Sequence, residues 1–293
     1  MSSSWVGALR CLRERNDRGM VENRIRGGRL RGTATLSILI PVRNEGINVR
    51  IMLRILSAVV DVPHEVLIVH DSTEDDSIPV VEKAREKYQE VRLVHNRLGI
   101  GVINAIRAGA EAAEGEYVLI FAADEIGPVL AIEDMLDLMR EGCDLVSCTR
   151  YARGGRRLGG SFIGGVLSRL ANRLFGWLAG SVFSDCTTGI KMFRRDVFEK
   201  MNLEARPIGW AVAFEMAIKA QLAGLRLGEV PIISIDRLYG GKSTFKLGPW
   251  VGEYVRWFFW GMRRTRKARR AYGSELMVKL PATPGKPGVY QSG

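Results

Sequence analysis

The sequence predicts an α/β fold built on a mostly parallel, doubly wound sheet, and three observations carry that reading. Short apolar runs at Leu36–Ile40, Val66–Val69 and Tyr117–Phe121 recur with helical segments between them, the alternation that builds a parallel sheet with helices on both faces. Each run opens onto a polar segment: Pro41-Val42-Arg43-Asn44-Glu45, His70-Asp71-Ser72-Thr73-Glu74-Asp75 and Ala122-Ala123-Asp124-Glu125. The chain has 293 residues, 46% of them hydrophobic, enough to bury a sizeable core in one large or two small domains.

The periodicity places strands at 36–41, 65–70, 91–95, 117–121 and 144–149, with helices at 46–59, 77–88, 100–113 and 129–140 between them. After Arg150 the order changes. A glycine-rich stretch at 154–160 leads into an amphipathic helix over 165–179, a strand at 189–193, a helix over 210–223 and one last strand over 227–235. In the segment from Trp250 to Arg270, the residues Trp250, Val251, Tyr254, Trp257, Phe258 and Met262 fall at helical spacing, and a polybasic run begins at Arg263. An aromatic helix face beside such a run suits the headgroup zone of an anionic membrane surface, or else packs on the body of the protein. The chain therefore divides into a basic arm (1–33), an α/β domain (34–248), an amphipathic aromatic and basic helix (249–270) and a proline-bearing tail (271–293) expected to be disordered.

The formal net charge of +11 is concentrated at the two ends. Residues 1–33 carry +5 and residues 249–293 carry +7, which leaves the remainder at −1. A neutral body with basic ends points to an anionic surface, and the absence of a nucleic-acid motif or a basic folded face argues against nucleic acid. No uninterrupted apolar run reaches the roughly 18 to 20 residues of a spanning helix, since Arg169 and Arg173 break the most apolar region. The N-terminal stretch has no apolar core of a secretory signal. Four cysteines (Cys11, Cys143, Cys148 and Cys186) lack metal-ligand spacing and fit a reducing compartment. The expected location is cytoplasmic, peripheral on the cytoplasmic face of a membrane.

Asp71, Asp75 and Asp124 stand at or just beyond predicted strand ends, where an open α/β sheet binds ligands. Each alone suits a helix cap; three in register suggest a nucleotide diphosphate and a divalent cation in one cleft. Taken in order, the Pro-Val-Arg-Asn-Glu and His-Asp-Ser-Thr-Glu-Asp segments, Gly99 ahead of Arg107-Ala108-Gly109, Ala-Ala-Asp at 122–124, Thr149-Arg150-Tyr151, Asp185-Cys186-Thr187-Thr188-Gly189, Gly209-Trp210 and Gly240-Gly241-Lys242-Ser243 resemble family 2 glycosyltransferases. The likeness is to the polyprenol-phosphate sugar transferases typified by dolichol-phosphate mannose synthase, and it covers residues 36–246.

That resemblance implies a GT-A fold, a GDP- or UDP-sugar donor, Mg²⁺ or Mn²⁺, and inverting transfer to a polyprenyl phosphate. Carried over by position, Pro41, Asn44 and Glu45 would hold base and ribose, Asp71 would contact the nucleoside with Asp75 nearby, Asp124 would ligate the metal and Arg150 would face phosphate. Arg237 and Lys242 fall where the family has a loop that closes on the donor, and Lys246, Lys191 and Arg194 are further cations, the last two read equally as a solvated strand edge. Glu215 is read as a base for a hydroxyl acceptor or as a structural hydrogen-bond acceptor. The chain departs from the family at Ala122 and Ile126, where further metal ligands are usual, and at His70, which replaces the first acid of a pair. Two other readings stay open: transfer to a saccharide or small-molecule hydroxyl, and an inactive relative that binds nucleotide. Some relatives carry spanning helices that this chain lacks, which makes a companion membrane subunit a plausible partner.

Overall fold

The computed structural model describes residues 35–159, 162–235, 247–272, 277–281 and 290–292. The basic arm and the positions Arg237, Lys242 and Lys246 lie outside them. The strands are β1 (Leu36–Pro41), β2 (His64–His70), β3 (Val91–His95), β4 (Tyr117–Ile120), β5 (Leu145–Thr149), β6 (Arg156–Leu158), β7 (Lys191–Arg194), β8 (Leu227–Pro231), β9 (Ile233–Ile235), β10 (Met277–Lys279) and β11 (Tyr290–Ser292). The helices are α1 (Gly46–Val59), α2 (Ser77–Arg85), α3 (Val102–Ala112), α4 (Ile132–Arg140), α5 (Phe162–Ala179), α6 (Ala211–Leu222) and α7 (Leu247–Tyr272). Among the described residues, nine strands form one sheet in the order β11-β10-β8-β5-β7-β4-β1-β2-β3. β1 is parallel to β2 and to β4, whereas β7 is antiparallel to both β4 and β5.

Period-two alternation along β1 divides the core into two layers. Leu36, Ile38 and Ile40 face a cluster containing Val49, Met52 and Leu56 of α1, Val81 of α2 and Met135 of α4. Leu39 faces the opposite cluster, with Ile103 and Ile106 of α3, Phe175 of α5, Phe214 of α6 and Trp257 of α7. Strands covered on both sides by helices read as continuous apolar runs, which is why β1, β2 and β4 stand out in the sequence.

Two stretches differ from expectation, and a third decides between two readings. The stretch 227–235 is two strands, because Pro231 has no N–H to extend the ladder. The chain turns at Ile232 and β9 pairs with β6 as a separate two-stranded parallel sheet. The expected disordered tail instead supplies β10 and β11: β10 runs parallel to β8, and Val278 and Leu280 are buried, so an otherwise open sheet edge is covered. The aromatic face of α7 is turned inward. Trp257 is buried, its Nε1 donates to Glu253 (3.1 Å), and Tyr254, Phe258, Trp260 and Met262 pack against the same core. The rings of Phe258 and Phe175 lie 5.3 Å apart and those of Tyr254 and Phe214 6.3 Å apart. Packing on the protein accounts for that face.

Val278→Ala should lower the unfolding free energy by about 1–3 kcal/mol, the cost of removing buried methyl groups. Denaturant titration checks this, and an unchanged midpoint would show that β10 contributes nothing to the sheet.

Candidate active site

The loop after β1 is shaped by polar contacts with the loop after β2. Asn44 takes a left-handed conformation (φ 55°), which asparagine tolerates better than most residues. Its backbone N–H donates to Asp75 Oδ1 (3.1 Å), and its side-chain oxygen accepts from the Asp76 N–H (3.3 Å). The next two backbone donors, Glu45 and Gly46, reach Ser77 Oγ (3.1 Å) and Asp76 Oδ1 (2.9 Å). Asp75 Oδ1 also caps α2 through the Ser77 N–H (2.8 Å). Donors at the start of α1 are thereby met from the neighbouring loop rather than by its own cap.

That arrangement sets Arg43 and Glu45 into a crevice of about 480 Å³ at the carboxyl edge of the sheet. Pro41, Arg43 and Glu45 follow β1, Asp71 follows β2, and Ala122, Ala123 and Asp124 follow β4. β1 lies between β2 and β4 in the sheet, so Arg43 follows the strand between those that lead to the two acids. In this structure it pairs with Asp71 (Nη2 to Oδ2, 2.6 Å). Asp71 also accepts from the Gly101 N–H (3.3 Å). Gly101 has φ +130°, and a Cβ there would lie 2.5 Å from Pro207, so glycine alone lets the loop before α3 approach this closely.

The far wall consists of Pro207, Ile208, Gly209 and Trp210 ahead of α6, together with Trp250 of α7. The Trp250 ring covers Gly209, where a Cβ would come within 2.4 Å of it. Glu215, fully buried, fixes the segment before this wall: its carboxylate accepts from the backbone N–H groups of Glu204 and Ala205 and pairs with Lys219 (2.9 Å).

The structure thus brings Pro41, Glu45, Asp71 and Asp124 to one crevice and gives other sites to Asn44, Asp75, Arg150 and Glu215, which are not among the described residues lining it. Asp75 is buried between the two loops, and its Oδ2 has no hydrogen-bond partner among the described residues. Arg150 is turned to Asp185 in a bidentate pair (2.7 and 3.1 Å) and also donates to Thr187 (2.9 Å). Burial opposes ionisation of Asp185, but the Arg150 charge and the hydrogen bonds from Arg150 and Thr187 outweigh it and hold the carboxyl below the usual range. Sequence reasoning gave no role to Arg43 within its motif and placed Trp250 on a helix face that meets either a membrane surface or the body of the protein, not in the site.

Lys191 is no strand-edge cation. It is fully buried on β7 between two partner strands, in register with Ile120 two residues before the crevice's Ala122, and its Nζ donates to Ser147 (2.8 Å). Burial lowers its pKa to about 8. On β8, Glu229 accepts from the Ser184 N–H (2.9 Å), the Asp185 N–H (3.3 Å) and the Ser184 hydroxyl (2.8 Å). Burial still raises its pKa to about 7. A charged and hydrogen-bonded floor of Arg150, Asp185, Lys191 and Glu229 therefore underlies the loop that follows β5. Cys143, Cys148 and Cys186 are free and buried, and burial raises each thiol above its ordinary pKa.

A family model described as glycosyl transferase family 2 matches residues 37–201. The dolichol-phosphate mannosyltransferase of Pyrococcus furiosus is 26% identical over 225 residues, covering 75% of this chain and 62% of that protein. The polyprenol monophosphomannose synthase of Mycolicibacterium smegmatis is 27% identical over 236 residues, covering 75% of this chain and 88% of that one. The glycosyltransferase AglD of Haloferax volcanii is 25% identical over 209 residues, 67% of this chain, which spans 32% of AglD. Among solved structures, glucosyl-3-phosphoglycerate synthase of Mycobacterium tuberculosis, with Mn²⁺, UDP-glucose and glycerol 3-phosphate, superposes with a TM-score of 0.60 at 17% identity over 78% of this chain and 80% of that one. That likeness establishes the GT-A fold.

Arg150→Ala should cost about 3 kcal/mol of stability by leaving the Asp185 charge buried without its partner, and Asp185→Asn in the same chain should restore part of it. An unchanged unfolding midpoint in the single variant would remove Arg150 from the structural floor. Glu229 gives a pH signature. With its folded pKa raised from 4.5 to about 7, the folded state binds more protons than the unfolded one across that window, so this group's contribution to stability falls as pH rises through it. Glu229→Gln should therefore gain on the wild type between pH 4.5 and 7, by about 3 kcal/mol at the upper end; denaturant titrations at several pH values showing a constant difference would overturn the assignment.

Proposed function

The chain belongs to glycosyl transferase family 2, and from that premise we propose that it moves a sugar from a GDP- or UDP-sugar to a polyprenyl phosphate with inversion at the anomeric carbon. The observation that carries the reading is the convergence of Asp71 and Asp124 on one crevice with Arg43 between them. The names of the relatives in P. furiosus and M. smegmatis support the acceptor class.

The donor's nucleoside is assigned to the side bounded by Pro41, Glu45 and Asp71, and its diphosphate to the side of Asp124. A diphosphate entering among three acids needs positive charge. Among the described residues lining the crevice, Arg43 is the cation the chain itself supplies. The family positions Arg237 and Lys242 are assigned to donor closure.

Mg²⁺ or Mn²⁺ fits this donor set through a single carboxylate. Ala122 and Ile126 occupy positions where the family has further ligands, and among the described residues no group of three or more His, Cys, Asp or Glu side chains is spaced to hold a metal ion. Magnesium commonly binds through one or two carboxylates, with substrate phosphates and water filling its other positions. Asp124 would hold it, and the ion would neutralise charge on the departing diphosphate.

A phosphate acceptor is already ionised at neutral pH. Its oxygen forms the new bond to the anomeric carbon while the bond to the nucleoside diphosphate breaks, the diphosphate leaves with the electron pair, and no proton need move. The crevice's task is alignment of two anions in a site that screens their repulsion. Transfer to a hydroxyl would require a base. Glu215, the residue offered for that role, is engaged by two backbone N–H groups and Lys219, which favours the phosphate acceptor. A lipid-phosphate acceptor and basic chain ends support a peripheral location on an anionic membrane surface, which we assign to the cytoplasmic face with a companion membrane subunit as a further partner; no helix among the described residues is long and apolar enough to cross a membrane.

Asp124→Ala should abolish the Mn²⁺-dependent part of nucleotide-sugar binding while leaving the unfolding midpoint within about 1 kcal/mol of wild type. Calorimetric titration with and without Mn²⁺ reads this directly, and metal-dependent binding that survives the substitution would show that another residue holds the ion.

A further inference from the structure

α5 and α7 each keep one face on the protein and leave another uncovered. On α5, Phe175 and Ala179 are buried, while Val166, Leu170, Leu174 and Trp177 recur at helical spacing and are exposed, Trp177 at 79%. On α7, Val251, Val255 and Phe259 stand four residues apart and are 46%, 46% and 52% exposed. The two helices meet through Phe175 and Phe258, so both stripes belong to one region of the surface. Soluble chains seldom leave so much apolar side chain in one place without an occupant.

The charges that the two helices themselves expose are of one sign. α5 contains no acid, and the sole acid of α7, Glu253, is buried, where it accepts from the Arg206 N–H, Arg256 and Trp257. Arg169 and Arg173 on α5 and Arg263, Arg264, Arg266 and Lys267 on α7 are exposed. Arg263, Arg264, Phe259 and Trp260 help line a shallow depression on α7. Apolar stripes edged by cations, with no exposed acid on the described residues of either helix, match a leaflet of anionic phospholipid, in which acyl chains take the stripes and headgroup phosphates the cations.

We infer that the exposed stripes of α5 and α7 are the membrane-docking face of this protein, with the α5 stripe and Val251, Val255 and Phe259 entering an anionic leaflet in place of the aromatic face that the sequence suggests. This deepens the proposed transfer to a lipid phosphate and rests on it for its purpose. α7 begins beside Trp250, which lines the crevice, and Phe259 lies about 13 Å further along the helix axis. Docking on this face therefore sets the crevice mouth near the headgroup level, where the phosphate of a membrane-borne acceptor resides.

The test is flotation of the full chain with vesicles of phosphatidylcholine alone or mixed with phosphatidylglycerol. Wild type should float with the mixed vesicles and not with phosphatidylcholine alone. Leu170→Glu combined with Trp177→Glu should lower the bound fraction at least about tenfold, with the unfolding midpoint and nucleotide binding unchanged because both side chains are exposed. Arg263→Glu with Arg264→Glu should reduce binding to the mixed vesicles in the same sense. Undiminished flotation of the Leu170/Trp177 variant, or a wild type that never floats, overturns the inference. So does light scattering that shows a wild-type dimer abolished by that variant without vesicle binding, which would make the face a contact between two copies. Turnover on a water-soluble, short-chain polyprenyl phosphate separates the two readings. Retention of that turnover in a variant that no longer floats supports docking as a distinct function. Wild type that floats but uses no polyprenyl phosphate supports the docking face and rejects the acceptor.

Discussion

The parallel pairing of β1 with β2 on one side and β4 on the other is the constraint on which the site depends. Parallel neighbours end at the same edge, so three loops separated by long stretches of chain deliver Arg43, Asp71 and Asp124 to one place. An antiparallel partner on either side of β1 would send one of these loops to the opposite edge of the sheet. The polar stitching through Asp75, Asp76 and Ser77 then fixes how the β1 loop leaves the sheet. The site is therefore set by backbone register first and by side-chain chemistry second.

Under the loop that follows β5 the protein tolerates an expensive arrangement. Arg150 with Asp185, and Lys191 and Glu229 close by, are charged or titratable groups withdrawn from water, and such groups persist only when hydrogen bonds replace what solvent provided. Here they do: Asp185 has Arg150, Thr187 and Asn172, Glu229 has two backbone donors and a hydroxyl, and Lys191 has Ser147. The result specifies the position of the β5 loop more narrowly than apolar packing would. Glu215 does similar work for the wall formed by Pro207 to Trp210.

The sequence shows β1, β2, β4 and β5 because each is largely apolar, buried on both faces and bounded by turn residues. It shows Asp71 and Asp124 for the same reason, since both follow such strands. What it hides depends on contacts between distant segments. Lys191 looks like an edge cation because nothing local reveals that β7 lies between two partners. The three-residue β6, β10 and β11 fall below any useful periodicity. Along α7 the spacing identifies residues that share a face but not which face the protein covers, since two apolar faces exist and packing against Phe175 and Phe214 selects the aromatic one. Arg43 sat inside a motif whose other members drew attention, and its partnership with Asp71 emerges only when two strand ends lie side by side.

The antiparallel course of β7 has a further consequence for how this chain is assembled. β7 is the hydrogen-bonded bridge between the block β4-β1-β2-β3 and the block that β5 shares with β8, β10 and β11. An N-terminal fragment that ends between Thr149 and Lys191 therefore holds β5 and the block β4-β1-β2-β3 without the strand that joins them. During synthesis the crevice-bearing block is complete by Glu125, yet it must wait for β7 before its neighbour can lock alongside, and until then Lys191 and Ser147 have not met. The link between the two blocks thus rests on one four-residue strand, and β8, β10 and β11 extend the second block only after it in the chain.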